Sequence, residues 1–133
     1  MMDGVFISLR LSHPVADVTE LCKKLGLTPD RAWLAGQSRQ TPKGVPLKGV
    51  YAESYCTCSL PIDRATYLEE GLQLAVAVLK PHVVALVKFS KTGGRVSFFI
   101  SLEKGAFRGA ELSPTLLTEL ADLHVSLAID RNL

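Results

Sequence analysis

The sequence predicts an α+β fold: a two-layer sandwich whose mostly antiparallel sheet of five or six strands carries three helices largely on one face, ferredoxin-like in flavour. Three observations predict it. Segments with an apolar period of two alternate along the chain with segments of period about 3.6, in the order strand, helix, one or two strands, helix, hairpin, helix, strand. Each helical segment carries one apolar stripe, which needs one covering layer. The 133 residues, 47% hydrophobic and 21% charged, suffice for one core without disulfide or metal staples, so residues 1–133 read as a single domain.

The first strand is the alternation of Val5, Ile7, Leu9 and Leu11 with Phe6, Ser8, Arg10 and Ser12. Ser12 and Pro14 mark a helix start, Val15, Val18, Leu21, Cys22 and Leu25 its stripe, and Gly26 its stop. Pro29-Asp30 reads as a turn and Ala32-Trp33-Leu34-Ala35 as a short strand. From Gly36 to Gly49, three glycines and two prolines with Arg39, Lys43 and Lys48 suggest a long exposed loop or the tip of a hairpin. A long strand follows, with Val50, Ala52, Ser54, Cys56, Cys58 and Leu60 alternating with Tyr51, Glu53, Tyr55, Thr57 and Ser59. Asp63 caps a second helix whose stripe is Ala65, Leu68, Leu72, Ala75, Val76 and Leu79, and Pro81 ends it. Val83 to Phe89 and Arg95 to Leu102 read as two strands joined through Lys91-Thr92-Gly93-Gly94, since paired glycines suit tight hairpins. A glycine-containing loop runs from Glu103 to Leu112. Ser113-Pro114 then starts a third helix with Leu116, Leu117, Leu120 and Ala121 inward, and Val125, Leu127 and Ile129 form a last strand.

Composition excludes several classes. A formal charge of +2 is too small to imply nucleic-acid binding by itself, so only a local cluster of cations would matter. The apolar runs Leu72 to Leu79 and Val83 to Val87 each fall short of the ~20 residues that cross a bilayer. The N-terminus lacks a basic start followed by an apolar run. Three cysteines, an odd number without such a leader, suit a reducing cytoplasm where thiols stay free.

From Leu25-Gly26-Leu27-Thr28-Pro29-Asp30, with Gly36 six residues on, the chain resembles the bacterial family catalogued as domain of unknown function 4279. The resemblance extends through the leucine-rich second helix to the tail Leu120 to Asp130, with Tyr51 standing where the family would carry tryptophan. It implies the fold above and no catalytic residue. Some members are suspected immunity proteins, which neutralise toxins by binding them.

The residues offer little chemistry of their own. Cys56 and Cys58 would share one face of a strand, yet structural zinc usually takes four ligands, and Cys22 lies on a different element. Small apolar core residues are therefore the default reading, with no metal and no cofactor expected. His13, His82 and His124 sit at element boundaries, and no nucleophile elbow or phosphate-binding glycine pattern is present. The segment from Arg31 to Tyr55 is the better candidate. Arg31, Arg39, Lys43 and Lys48 occur there without an acid before Glu53, flanked by Trp33, Tyr51 and Tyr55, and aromatics with arginine are the usual anchors of interfaces. We therefore expect a non-enzymatic protein-binding domain, immunity-like in the sense of the resembled family. A small-ligand, metal or enzymatic site near Cys56 and Cys58 is the alternative. Homodimerisation through a sheet edge is a third reading, and neither membrane nor nucleic acid is an expected partner.

Overall fold

The computed structural model describes residues 4–63, 67–103 and 109–131. Ala65, expected on the second helix's stripe, and most of the loop expected after Glu103 lie outside them. The strands are β1 (Val5–His13), β2 (Pro29–Trp33), β3 (Ser38–Gln40), β4 (Pro46–Val50), β5 (Ser54–Ser59), β6 (Arg95–Leu102) and β7 (Val125–Arg131). The helices are α1 (Thr19–Lys24), α2 (Leu68–Leu79), α3 (Val83–Lys91) and α4 (Pro114–Asp122), with one 3-10 turn (Lys80–His82) joining α2 to α3.

Five strands form one sheet in the order β2-β5-β1-β6-β7, and β3 and β4 form a separate two-stranded ribbon. Every pair in the large sheet is antiparallel except β6 with β7, which α4 joins as a βαβ unit. The fold is therefore α+β, as the periodicities predict. On the central strand β1 the residues Val5, Ile7, Leu9 and Leu11 are buried, while Phe6 is exposed and Ser8 and Arg10 are half-exposed. Leu72, Ala75, Val76 and Leu79 of α2, Leu86 of α3, and Leu116 and Leu120 of α4 join those residues in one core. The opposite face carries Phe6, Ser8 and Arg10 of β1 with Phe99 of β6, polar and aromatic side chains mixed.

Several boundaries differ from expectation. Residues 83–89 form a helix, not a strand. Val83, Ala85, Val87 and Phe89 mimic a period of two, but Leu79 and Leu86 are seven apart, fully buried, and on one helical face. Pro81 does not end the run because the 3-10 turn places it in a first turn, where its missing N–H costs nothing. The paired glycines accordingly terminate α3 instead of turning a hairpin. Gly94 N–H donates to Phe89 O at 3.0 Å and Gly93 N–H to Ser90 O at 3.2 Å, with Gly93 at φ +103°. That is the Schellman arrangement, which wants glycine at the left-handed position. Leu68–Lys91 is thus one helical run of 24 residues whose most apolar 18-residue window has a mean hydropathy of 1.6, long and apolar enough by length and composition alone to cross a bilayer. The two short apolar runs of the sequence are one element. Its inward stripe joins the core, and 28% of that window is buried.

The first helix is shorter than its stripe suggested. Val15 is 75% exposed, because residues 14–18 form an irregular connection and α1 begins only at Thr19. The connection is held by His13, whose Nδ1 accepts from Val15 N–H (3.1 Å) and Ala16 N–H (2.9 Å), a role expected of Ser12. The second helix begins at Leu68, beyond the expected cap Asp63. The strand expected over 32–35 runs instead from Pro29 to Trp33, with a bulge between Pro29 and Arg31. The long strand expected over 50–60 is broken: Val50 closes β4, and β5 starts at Ser54. Ile129 on the last strand is exposed.

Gly94 is the most demanding backbone position. A Cβ there would run into the Phe89 ring, which packs against the core and lies 5.5 Å from the His13 imidazole, centroid to centroid. Gly94→Ala should therefore destabilise the protein by about 1–3 kcal/mol, as overpacked cores do. Denaturant unfolding of the purified variant measures this, and a change below about 0.5 kcal/mol would contradict the packing described.

Candidate functional site

The segment singled out by its cations and aromatics is organised around the β3–β4 ribbon. Every residue of both strands is exposed, and Val45, Leu47 and Val50 present apolar side chains to solvent among Arg39, Lys43 and Lys48. A two-stranded ribbon alone is marginal in water, so something must fix this one. Its tip is closed by Thr41, whose N–H donates to Val45 O (2.8 Å) and whose Oγ1 accepts from Val45 N–H (3.0 Å). Opposite Gln40 in the ladder stands Pro46, which has no N–H to give. The Tyr51 hydroxyl substitutes: it donates to Gln40 O at 3.0 Å and accepts from Gln40 N–H at 3.2 Å. Arg39 Nη1 donates to Lys48 O at 3.3 Å across the ribbon.

The base of the ribbon is fixed by rings. Trp33, on the sheet-edge strand β2, stacks on Tyr51 at 4.6 Å and 11° and on Tyr55 at 4.6 Å and 27°. The Arg31 guanidinium lies 4.9 Å from the Trp33 ring centroid. All three rings are half-buried. Backbone bonds from Gly36 N–H to Tyr51 O and from Tyr51 N–H to Gln37 O, both 2.9 Å, continue the ladder into the turn. Buried Ser54 Oγ accepts from Ala35 N–H at 2.9 Å. A cleft of about 270 Å³ opens between ribbon and β2, floored by Trp33 and Tyr51.

The structure thus brings Arg31, Trp33, Tyr51 and Tyr55 into one cluster, places Arg39 and Lys48 together on the ribbon, and sets Lys43 at its tip. The rings support the ribbon through their faces, so the outward contact surface is largely the ribbon itself. The sequence pattern did not mark the exposed apolar residues Val45 and Leu47, and it placed Val50 on a strand rather than on a contact surface. Their signal was there, in apolar residues placed among glycines and cations. Alongside, on the opposite sheet face, the Arg10 guanidinium sits 3.6 Å over the Phe99 ring centroid, its Nε buried without a hydrogen-bond partner among the described residues, and Arg95 pairs with Glu53 at 3.3 Å.

On the other side of β5 the three thiols meet. Cys22 Sγ lies 3.0 Å from Cys58 Sγ, and Cys56 Sγ lies 4.0 Å from Cys58 Sγ, all three fully buried. Cys22 also donates to Leu27 O at 3.3 Å. Burial, then the bond with Cys58, pushes the Cys22 thiol up to about 12. Cys58 is raised as well, first by its bond with Cys56 and then by burial. Neither is set up as a nucleophile, which needs a lowered pKa. Two of the three histidines pair with hydroxyls: His13 Nε2 with Thr92 Oγ1 (3.0 Å) and His124 Nδ1 with Ser90 Oγ (3.2 Å). No carboxylate orients either ring among the described residues, so neither pair forms a triad.

These features define the class: a small α+β domain with a helix-covered sheet and a basic, apolar ribbon standing on a stacked aromatic base. The chain belongs to the family described as Domain of unknown function (DUF4279), whose model matches residues 4–133. No curated protein and no solved structure matches it significantly.

Two outcomes follow from this geometry. Tyr51→Phe removes both hydroxyl bonds to Gln40, so amide exchange in residues 38–50 should quicken by about tenfold, the equivalent of ~1.4 kcal/mol, with β1 unaffected. Hydrogen-exchange mass spectrometry reads both regions at once. The Cys22 thiol, raised above its unfolded value of 9.0, gives the folded state a proton that the unfolded state loses first. Its contribution is complete below about pH 9 and disappears as pH climbs toward about 12. Unfolding titrations across that range should show a steeper decline for the wild type than for Cys22→Ala.

Proposed function

We propose that this protein is a non-enzymatic protein-binding domain that presents the β3–β4 ribbon to a partner protein with an acidic contact surface. One observation carries the reading. Three apolar side chains and three cations point into solvent from a ribbon that stacked rings and the Tyr51 hydroxyl hold in one shape. Solvent-facing apolar residues gain nothing in the free protein, whereas a rigid ribbon that displays them avoids ordering costs on binding. The cations Arg39, Lys43 and Lys48 supply steering toward negative charge. Neutralisation of the partner by occlusion, as suspected for immunity proteins in the resembled family, is the mode of action we assign. Setting the protein in the cytoplasm and excluding membrane and nucleic acid as partners belong to the same reading. The crowding of Trp33 supports that last point, because Tyr51, Tyr55 and the Arg31 guanidinium already pack on its ring, where a base would stack.

The test is affinity capture from the native cell with wild type and with the combined Arg39→Ala, Lys43→Ala, Lys48→Ala variant. The wild type should retain a specific protein whose binding weakens with added salt. The variant should bind it at least about tenfold more weakly, with an unchanged melting temperature. Undiminished capture by the variant would remove the ribbon from consideration.

A further inference from the structure

The register of β5 and the placement of α1 create a donor set that the surface reading does not use. Cys56 and Cys58 alternate onto the core face of β5, opposite Leu11 and Leu9 of β1. Cys22 is held over them by the end of α1, where Leu27 N–H donates to Cys22 O (3.0 Å) and Gly26 N–H to Lys23 O (2.9 Å), with Gly26 at φ +75°. The three sulfurs lie within 4.8 Å of one another, and they are the one cluster of metal-donor side chains among the described residues. Three sulfurs bound to one ion in a trigonal plane, with metal–sulfur bonds of about 2.3 Å, sit ~4 Å apart. Cys56 and Cys58, 4.0 Å apart, already match that value, while Cys22 and Cys58, 3.0 Å apart, would open by about an ångström to admit an ion.

We propose that Cys22, Cys56 and Cys58 form a three-sulfur site for a soft monovalent cation, Cu(I), taken up as the chain folds. Thiolates select soft ions. Tetrahedral zinc needs a fourth donor, and no histidine, carboxylate or further cysteine joins the group among the described residues. Copper(I) is satisfied by three. The site is closed to solvent, so entry accompanies folding, and the binding free energy adds to the stability of the fold. Each sulfur that binds exchanges its S–H proton for the metal, with no change of oxidation state.

The experiment is anaerobic refolding of the full chain, under reducing conditions, with one equivalent of Cu(I) or of Zn(II). The products are then desalted and challenged with bicinchoninate for copper. One Cu(I) per chain should be retained, with three sulfur neighbours by X-ray absorption and a raised melting temperature. Cys22→Ala and Cys58→Ala should each release it with a loss of affinity beyond the roughly 10–100-fold that outer-shell changes produce. Because either variant could fail to fold, circular dichroism accompanies them, and the sulfur count on wild-type protein decides by itself. Absence of retained copper, two sulfur neighbours instead of three, or a retained four-coordinate zinc would each overturn the proposal. None of these outcomes bears on partner capture by the ribbon.

Discussion

The alternation of β1 is the constraint on which the rest of the molecule depends. This strand is hydrogen-bonded along both edges, to β5 and β6, and its inward residues Val5, Ile7, Leu9 and Leu11 are nearly or wholly buried. A slip of one residue would exchange them for Phe6, Ser8, Arg10 and Ser12, forcing a guanidinium and two hydroxyls under α2. The register is therefore fixed by a penalty larger than any single contact. Fixing it also fixes β5, since Leu9 stands opposite Cys58 and Leu11 opposite Cys56. The cysteines must then face the core, and Tyr55 and Thr57 must face outward. Both the aromatic base of the ribbon and the thiol cluster inherit their directions from this one pattern.

Much of this was legible in the sequence, and what was not had a physical cause. The alternations of β1, β5 and β6 could be read because one face of each is buried, which writes a period of two into the chain. The helix over residues 83–91 could not be, because Val83, Val84 and Val87 are β-branched and Pro81 reads as a stop. What decides that segment is tertiary: Leu86 completes the line begun by Leu72 and Leu79 on the same sheet. The two glycines after it, read as a hairpin turn, end a helix instead, because a left-handed glycine serves a helix terminus as well as a tight turn.

The ribbon and the thiols show the same limit from opposite directions. Composition located the ribbon, since glycine, proline and cations mark an exposed turn. Yet the bond that stabilises it, from Tyr51 to Gln40 eleven residues earlier, compensates for a donor that Pro46 lacks. Cys22 was assigned correctly to a buried position. Its partners lie 34 and 36 residues further along, on another element, and no local spacing encodes that approach. Short-range pattern identifies which face a residue takes, whereas the identity of its neighbour across the core belongs to topology.

Strand β5 thereby separates two kinds of chemistry by the thickness of one backbone. Outward, Tyr55 lends its ring to Trp33 and the ribbon stands in water; inward, Cys56 and Cys58 sit with Cys22 where water does not reach. The pairing of β2 with β5 places Trp33 beside Tyr55 and Ala32 beside Cys56. Through that antiparallel ladder the base of the ribbon is anchored to the most deeply buried part of the chain. An interaction surface on a marginal two-stranded ribbon needs an anchor of that kind, because any disorder in its free form would count against every contact it makes.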